Sequence, residues 1–249
     1  MSKKLWIGLL IVLVVEVGLA WKADMTLHIG EVPQWRFVVK GHEVVVNSRT
    51  AITSWLVMGL LILSSVLIRR RLKQRPGRWQ SVFELIVDFF DGLVRDTLGP
   101  GNRGHLPMIG SLFLFLWISN VIGVIPMLEE PTRDLNVPVG CMLVVLAVVH
   151  VSAIRAKGWK KYMLGYTRPF FIMFPLNVIG EMAKGVSLSF RLFGNILGGA
   201  IIIVVISSLV RYILLPVGLS LFFGIFVGTI QAFVFSMLAL AYIAVAVSD

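Results

Sequence analysis

In "GEMAKGVSLSFRLFGNILGG" (180–199), Glu181, Lys184, Leu188, Arg191 and Asn195 follow one another at spacings of three, four, three and four, the period of a single helical face. Ser187 stands one turn before Arg191, so polar groups flank the arginine on both sides. A guanidinium stays protonated in any protein, and inserting one at the centre of a bilayer costs at least about 2.5–3.5 kcal/mol. A chain that keeps one there uses it, facing an interior or an aqueous cavity. Snorkelling is difficult with some twenty membrane-compatible positions still to follow, and Glu181, ten positions away on the same helix, is too far for direct contact. Gly194 and Gly198 form a GxxxG pair, a spacing of close helix packing that also leaves room for a partner to approach the arginine. Gln231, the only amide in a later apolar run, is placed to complete a polar patch from an opposing helix.

The elements that must carry these groups are membrane helices. Hydrophobic residues make up 57% of the 249 and charged residues 14%, and the mean hydropathy is +0.90, well outside the range of a soluble domain. The net charge of +10 does not describe a nucleic-acid binder. Six of the 23 basic residues fall in "RRRLKQRPGR" (69–78) and five in "RAKGWKKYMLGYTR" (155–168), with no acid in either. Both segments flank long apolar runs, which is the pattern of loops on the cytoplasmic face. The lone Cys141 lies in an apolar run; it can form no internal disulfide and no metal site, and the sequence assigns no cofactor.

Residues 1–20 carry Lys3 and Lys4, an 11-residue apolar run from Leu5 to Val15, Glu16, and the small pair Gly18 and Ala20. That is the form of a signal peptide cleaved near Ala20, or alternatively of an uncleaved anchor. Residues 21–50 are then an outer-side segment, and 51–249 the membrane domain. A first span is expected over Ala51–Ile68, a second from about Leu106 to Leu128 with Asn120 inside it, and a third from about Val137 to Ile154. Between the first two, "WQSVFELIVDFFDGLVRDTL" (79–98) sets Gln80, Glu84, Asp88, Asp91 and Arg95 on one stripe opposite Phe, Ile, Leu and Val, an amphipathic helix for the interface or a partner. His150, near the inner interface, reads as a partly hydrated structural histidine.

After Pro175 little stops a helix until about Arg211, and after Pro216 nothing is charged until Asp249. Helices of about 35 and 30 residues would be roughly 50 and 45 Å long, against a hydrocarbon core of about 30 Å. Each must break or lie strongly tilted, and the scarcity of charged turns favours tilt. The fold expected is therefore all-α: upright spans, an interfacial amphipathic helix, and two long tilted helices forming a curved wall.

"SLSFRLFGNILGG" (187–199), "ISNVIGVIP" (118–126), "RDLNVP" (133–138) and "GTIQAFVFSMLALAYI" (228–243) together resemble the a subunit of F-type ATP synthases, over essentially everything from residue 51 onward. The resemblance implies a non-catalytic stator subunit of a rotary ion-translocating complex in the bacterial inner membrane. It implies a c-ring and b-type peripheral stalk subunits as partners, within membrane lipid. It makes Arg191 the essential arginine, Asn195 its polar companion and Gln231 the facing glutamine. Ser187, Glu181, Lys184 and Asn120 are the further candidates for the ion path.

The sequence departs from the family at Ala200, where many bacterial relatives have glutamate, and at Gly224, where His or Asp is frequent. Lys184 is followed by Gly185 rather than proline. Glu181 then serves the inner half-channel, and the outer one relies on Asn120, Asn195 and Gln231, with Asp134 and Glu130 near its mouth. Neutral oxygen ligands pass either a proton along a water chain or a hydrated sodium ion, so both ions stay open, protons favoured. An autonomous transporter would show internal repeats, which the halves lack. A voltage sensor would need a regular series of arginines, whereas this chain offers one in its apolar spans.

Overall fold

The computed structural model describes residues 33–39, 42–71, 77–125, 128–166, 172–209 and 214–248. The expected signal peptide or anchor, residues 1–20, lies outside the described residues.

A β-hairpin precedes the membrane helices: β1 (Gln34–Val39) pairs antiparallel with β2 (His42–Asn47), Gln34 opposite Asn47 and Val39 opposite His42. It lies in the segment expected on the outer side, for which the sequence reading assigned no secondary structure, and it is a small addition to the all-α fold. The hairpin leads directly into α1 (Ser48–Arg71). Asn47 Oδ1 accepts from the backbone N–H of Arg49 at 3.1 Å and of Thr50 at 3.4 Å, satisfying donors that a helix N-terminus leaves orphaned. Most of α1 is exposed apolar surface, with Val57 fully buried, as a helix facing lipid should be.

Next comes α2 (Arg78–Leu98), the amphipathic helix, ending at Gly99, whose φ of +81° favours glycine. Its apolar face sends Phe90 and Val94 into the membrane core, while Leu85, Val87 and Phe89 stay exposed. A 3₁₀ segment (Pro100–His105) joins it to α3 (Leu106–Val121), which tightens into a 3₁₀ turn over Ile122–Val124. Then follow α4 (Asn136–Lys157), α5 (Trp159–Tyr166) and α6 (Met173–Leu209). The last element is α7 (Leu214–Leu221), a π-helical turn (Phe222–Val227) and α8 (Gly228–Ser248).

Among the described residues five helices are long and apolar enough to span, the last two of 36 and 34 residues. Both long helices are continuous, and at 1.5 Å per residue each reaches roughly 50 Å, well beyond a core of about 30 Å. Breakage into separate spans is therefore not the solution this chain uses. The core is a single cluster in which Ile109, Leu112 and Leu116 of α3, Met142, Val145 and Val149 of α4, Leu188, Leu192 and Ile196 of α6, and Phe235, Leu240 and Ile243 of α8 interdigitate.

A polar strut crosses this core at the end away from the basic residues of α5. Asn120 is fully buried, donates through Nδ2 to the Gly228 carbonyl at 2.8 Å, and accepts at Oδ1 from the Thr132 hydroxyl at 2.7 Å. Trp117 Nε1 donates to Thr229 Oγ1 at 2.9 Å one turn away. Together these bonds set the register between α3 and α8.

Candidate functional site

The helix α6 presents two faces. Gly185, Leu188, Ser189, Leu192, Ile196 and Gly199 are buried, whereas Lys184, Ser187, Arg191, Gly194 and Asn195 are exposed. Leu188, which spacing alone set among the polar residues, is 2% exposed and belongs to the core. Ser187, one position earlier, completes the exposed stripe in its place, since a 3.6-residue period separates adjacent positions by about 100°.

Glycine sorts the same way. A Cβ on Gly185 would lie 2.7 Å from Met142 Sδ, and one on Gly199 would lie 2.7 Å from Phe223 Cδ1. These two glycines let α6 approach α4 and the π-turn. Gly194 and Gly198, the pair whose spacing pointed to packing, have nothing within 4 Å of a Cβ, so Gly194 leaves open space beside Arg191. Among the described residues no hydrogen bond or ion pair engages the Arg191 guanidinium. It stands exposed near the middle of the helix with Ser187 and Asn195 a turn to either side. Gln231 is half-buried on α8, three positions past the Gly228 that Asn120 holds.

Towards the basic end of the molecule, a cavity of about 670 Å³ opens between α4, α5, α6 and α8, lined in part by Lys157, Lys160, Lys161, Glu181, Lys184 and Tyr242. Lys184 Nζ lies 6.0 Å from the Tyr242 ring centroid, within cation–π range. His150 Nε2 is 3.3 Å from Glu181 Oε2, and its Nδ1 is 2.8 Å from the Leu146 carbonyl oxygen. A carbonyl only accepts, so Nδ1 carries a hydrogen. Sequence reasoning missed this pairing, because His150 and Glu181 lie on different helices and nothing local connects them.

Further ion pairs pin the periphery. Asp91 accepts from Arg103 Nε at 2.8 Å and from its Nη2, and pairs with Arg95 at 2.7 Å. The Arg103 hydrogen bond holds the Asp91 carboxyl below the usual carboxylate range. At the opposite end Arg49 binds Glu129 at 2.7 Å, tying the start of α1 to the segment between α3 and α4. Of the two positions where the resemblance leads one to expect a titratable group, Ala200 is half-buried and Gly224 is buried. A Cβ on Gly224 would overlap Val124 Cγ2, so a side chain at that position would have to displace the Val124 side chain.

These features define a multi-pass membrane subunit whose longest helix turns a cation-bearing stripe away from its own core. The family model described as ATP synthase A chain matches residues 51–244. The chain is 36% identical to ATP synthase subunit a of Moorella thermoacetica over 195 residues, 78% of this chain and 88% of that protein. It is 38% identical to ATP synthase subunit a 1 of Crocosphaera subtropica over 197 residues, 78% of this chain and 85% of that protein. It is 35% identical to ATP synthase subunit a 2 of a Bradyrhizobium species over 202 residues, 81% and 90% respectively. The chain belongs to the ATP synthase A chain family. It is a non-catalytic, multi-pass subunit of the bacterial inner membrane, built into the membrane sector of an F-type ATP synthase with the c-ring.

Proposed function

We propose that this subunit carries ions between two offset half-channels, with Arg191 as the fixed cation that faces the carboxylate of each passing ring subunit. The observation that carries this reading is the exposed stripe on α6: an arginine without an acid partner among the described residues, flanked by Ser187 and Asn195 and by the open space at Gly194. A permanent positive charge lowers the pKa of a neighbouring carboxylate, favouring release of its ion, and bars direct passage from one half-channel to the other. The ion must then travel around the ring. Two helices of this length lean to span the bilayer, and leaning side by side they form a wall that follows a curved partner.

The cavity at Glu181, Lys184 and His150 serves the inner half-channel, and the region between Gln231 and the outer ends of α3 and α8 serves the outer one. The transported ion is the proton. A second reading, sodium, draws on the absence of a titratable side chain at Ala200 and Gly224.

The test of the arginine is Arg191→Ala in inverted membrane vesicles holding the whole complex. ATP-driven ion uptake is lost while the subunit still inserts, since deleting a costly membrane charge does not impair insertion; normal coupled uptake overturns the reading. For the ion, ATP hydrolysis at alkaline pH is compared with and without sodium. Stimulation by sodium, with sodium protection of the c subunit against carbodiimide, replaces the proton by sodium.

A further inference from the structure

At the end of α3 the carboxyl group of Glu130 fills the space that a side chain on Gly123 would take. Glu130 follows the last turn of α3 and folds back so that a Cβ built on Gly123 would coincide with its carboxyl group. Gly123 lies in the 3₁₀ turn Ile122–Val124 and its φ is not positive. Its backbone would therefore accept a side chain, and Glu130 is what fills the space. The segment carrying Glu130 is held there by the buried Thr132, which donates to Asn120, and by Pro131, also buried.

The other described acids at this end are committed or remote. Glu129 is paired with Arg49, Asp134 accepts from the backbone and side chain of Asn136 at 3.1 and 2.9 Å, and Glu43 is exposed on the hairpin. Glu130 forms no ion pair within 4.0 Å among the described residues. Burial raises its carboxyl above the usual range and Glu129 adds to that, while a hydrogen bond to its own backbone and the charge of Arg133 oppose it.

Gly123 sits beside the contact where Val124 meets Gly224 of the last helix, and Gln231 follows Gly224 by seven residues, about 10 Å along the axis. We propose that Glu130 is the cation-exchanging carboxyl of the outer half-channel, delivered over Gly123 from the following loop. This rests on the half-channel reading above. The group takes a cation from the outer solution and returns to its starting state when the cation moves inward, so no other reactant is needed. Position 224 carries no such group, and the space beside it is taken by the Val124 side chain; the loop supplies the carboxyl instead.

The test uses inverted vesicles of the intact complex, with ATP-driven uptake followed both by a pH-sensitive dye and by radioactive sodium, normalised to the amount of assembled complex. Glu130→Gln is expected to lower uptake at least about ten-fold, as loss of a positioned proton-transfer group does. Moving the acid is the sharper arm. Gly123→Asp combined with Glu130→Gly restores uptake, and Gly123→Asn combined with Glu130→Gly does not, because the first pair returns a carboxyl to the same space and the second returns only volume. Wild-type uptake in Glu130→Gln, or equal rescue by the Asn pair, overturns the proposal. Arg191→Ala, run in parallel, separates the two readings: if it abolishes uptake while Glu130→Gln does not, only the role of Glu130 falls; if uptake survives Arg191→Ala, the half-channel reading itself falls.

Discussion

At the residue scale, Arg191 was legible because a charge in an apolar run has few explanations. The face it occupies was legible to within one residue: Leu188 and Ser187 are neighbours in sequence but on opposite sides of the buried boundary. Pairings across helices, such as His150 with Glu181 or Glu130 over Gly123, have no local pattern and were not legible. The two classes of glycine on α6 give a direct contrast. Gly199→Leu, which must displace Phe223, is expected to destabilise the subunit by about 1–3 kcal/mol, visible as a lower Tm of the detergent-solubilised complex. Gly194→Leu meets nothing within its own chain. It leaves thermal stability of the subunit intact and instead obstructs the partner on the exposed face, so ATP-driven uptake falls. Arg191→Lys keeps a charge but loses the planar fork and can lose its proton in a dry site; uptake in vesicles is expected to fail as it does for alanine.

Among elements, the membrane helices emerged near their expected bounds because hydrophobic length is a strong constraint. The hairpin did not. Its strands QWRFVV and HEVVVN are rich in valine and separated by two residues, a pattern of strand and tight turn that is obscured when the segment is read only for membrane compatibility. The amphipathic helix α2 was visible from its stripe of acids, but Asp91 proves to be a docking group, bound to Arg95 and to Arg103 beyond the helix end. A carboxyl whose folded pKa is depressed contributes stability above its unfolded value of 3.8, lost as pH falls below that and through the lower folded value. Asp91→Asn should therefore lower Tm near neutral pH and flatten the decline of Tm on acidification, as read by thermal melts across a pH series.

For the whole molecule, length was the strongest signal: helices of 36 and 34 residues exceed the roughly 20 residues of an ordinary span. If residues 1–20 are removed as a signal peptide, intact-mass spectrometry of the subunit finds a chain beginning near Trp21; an intact Met1 indicates an anchor. The π-turn has a mechanical meaning for the last helix. A π-turn accommodates an extra residue within an α-helix, so the stretch before Phe222 and the stretch after Val227 are set at different phases around one axis. The after-part is keyed to α3 through Asn120 and Trp117, and Phe223, within the turn, is keyed to Gly199 of α6. Phe222–Val227 thus works as a coupling between two gears that would otherwise be out of mesh. Were the same six residues wound as plain α-helix, the outer segment would swing by about 100° relative to α8, unseating Phe223 from Gly199 while Gln231 keeps its station.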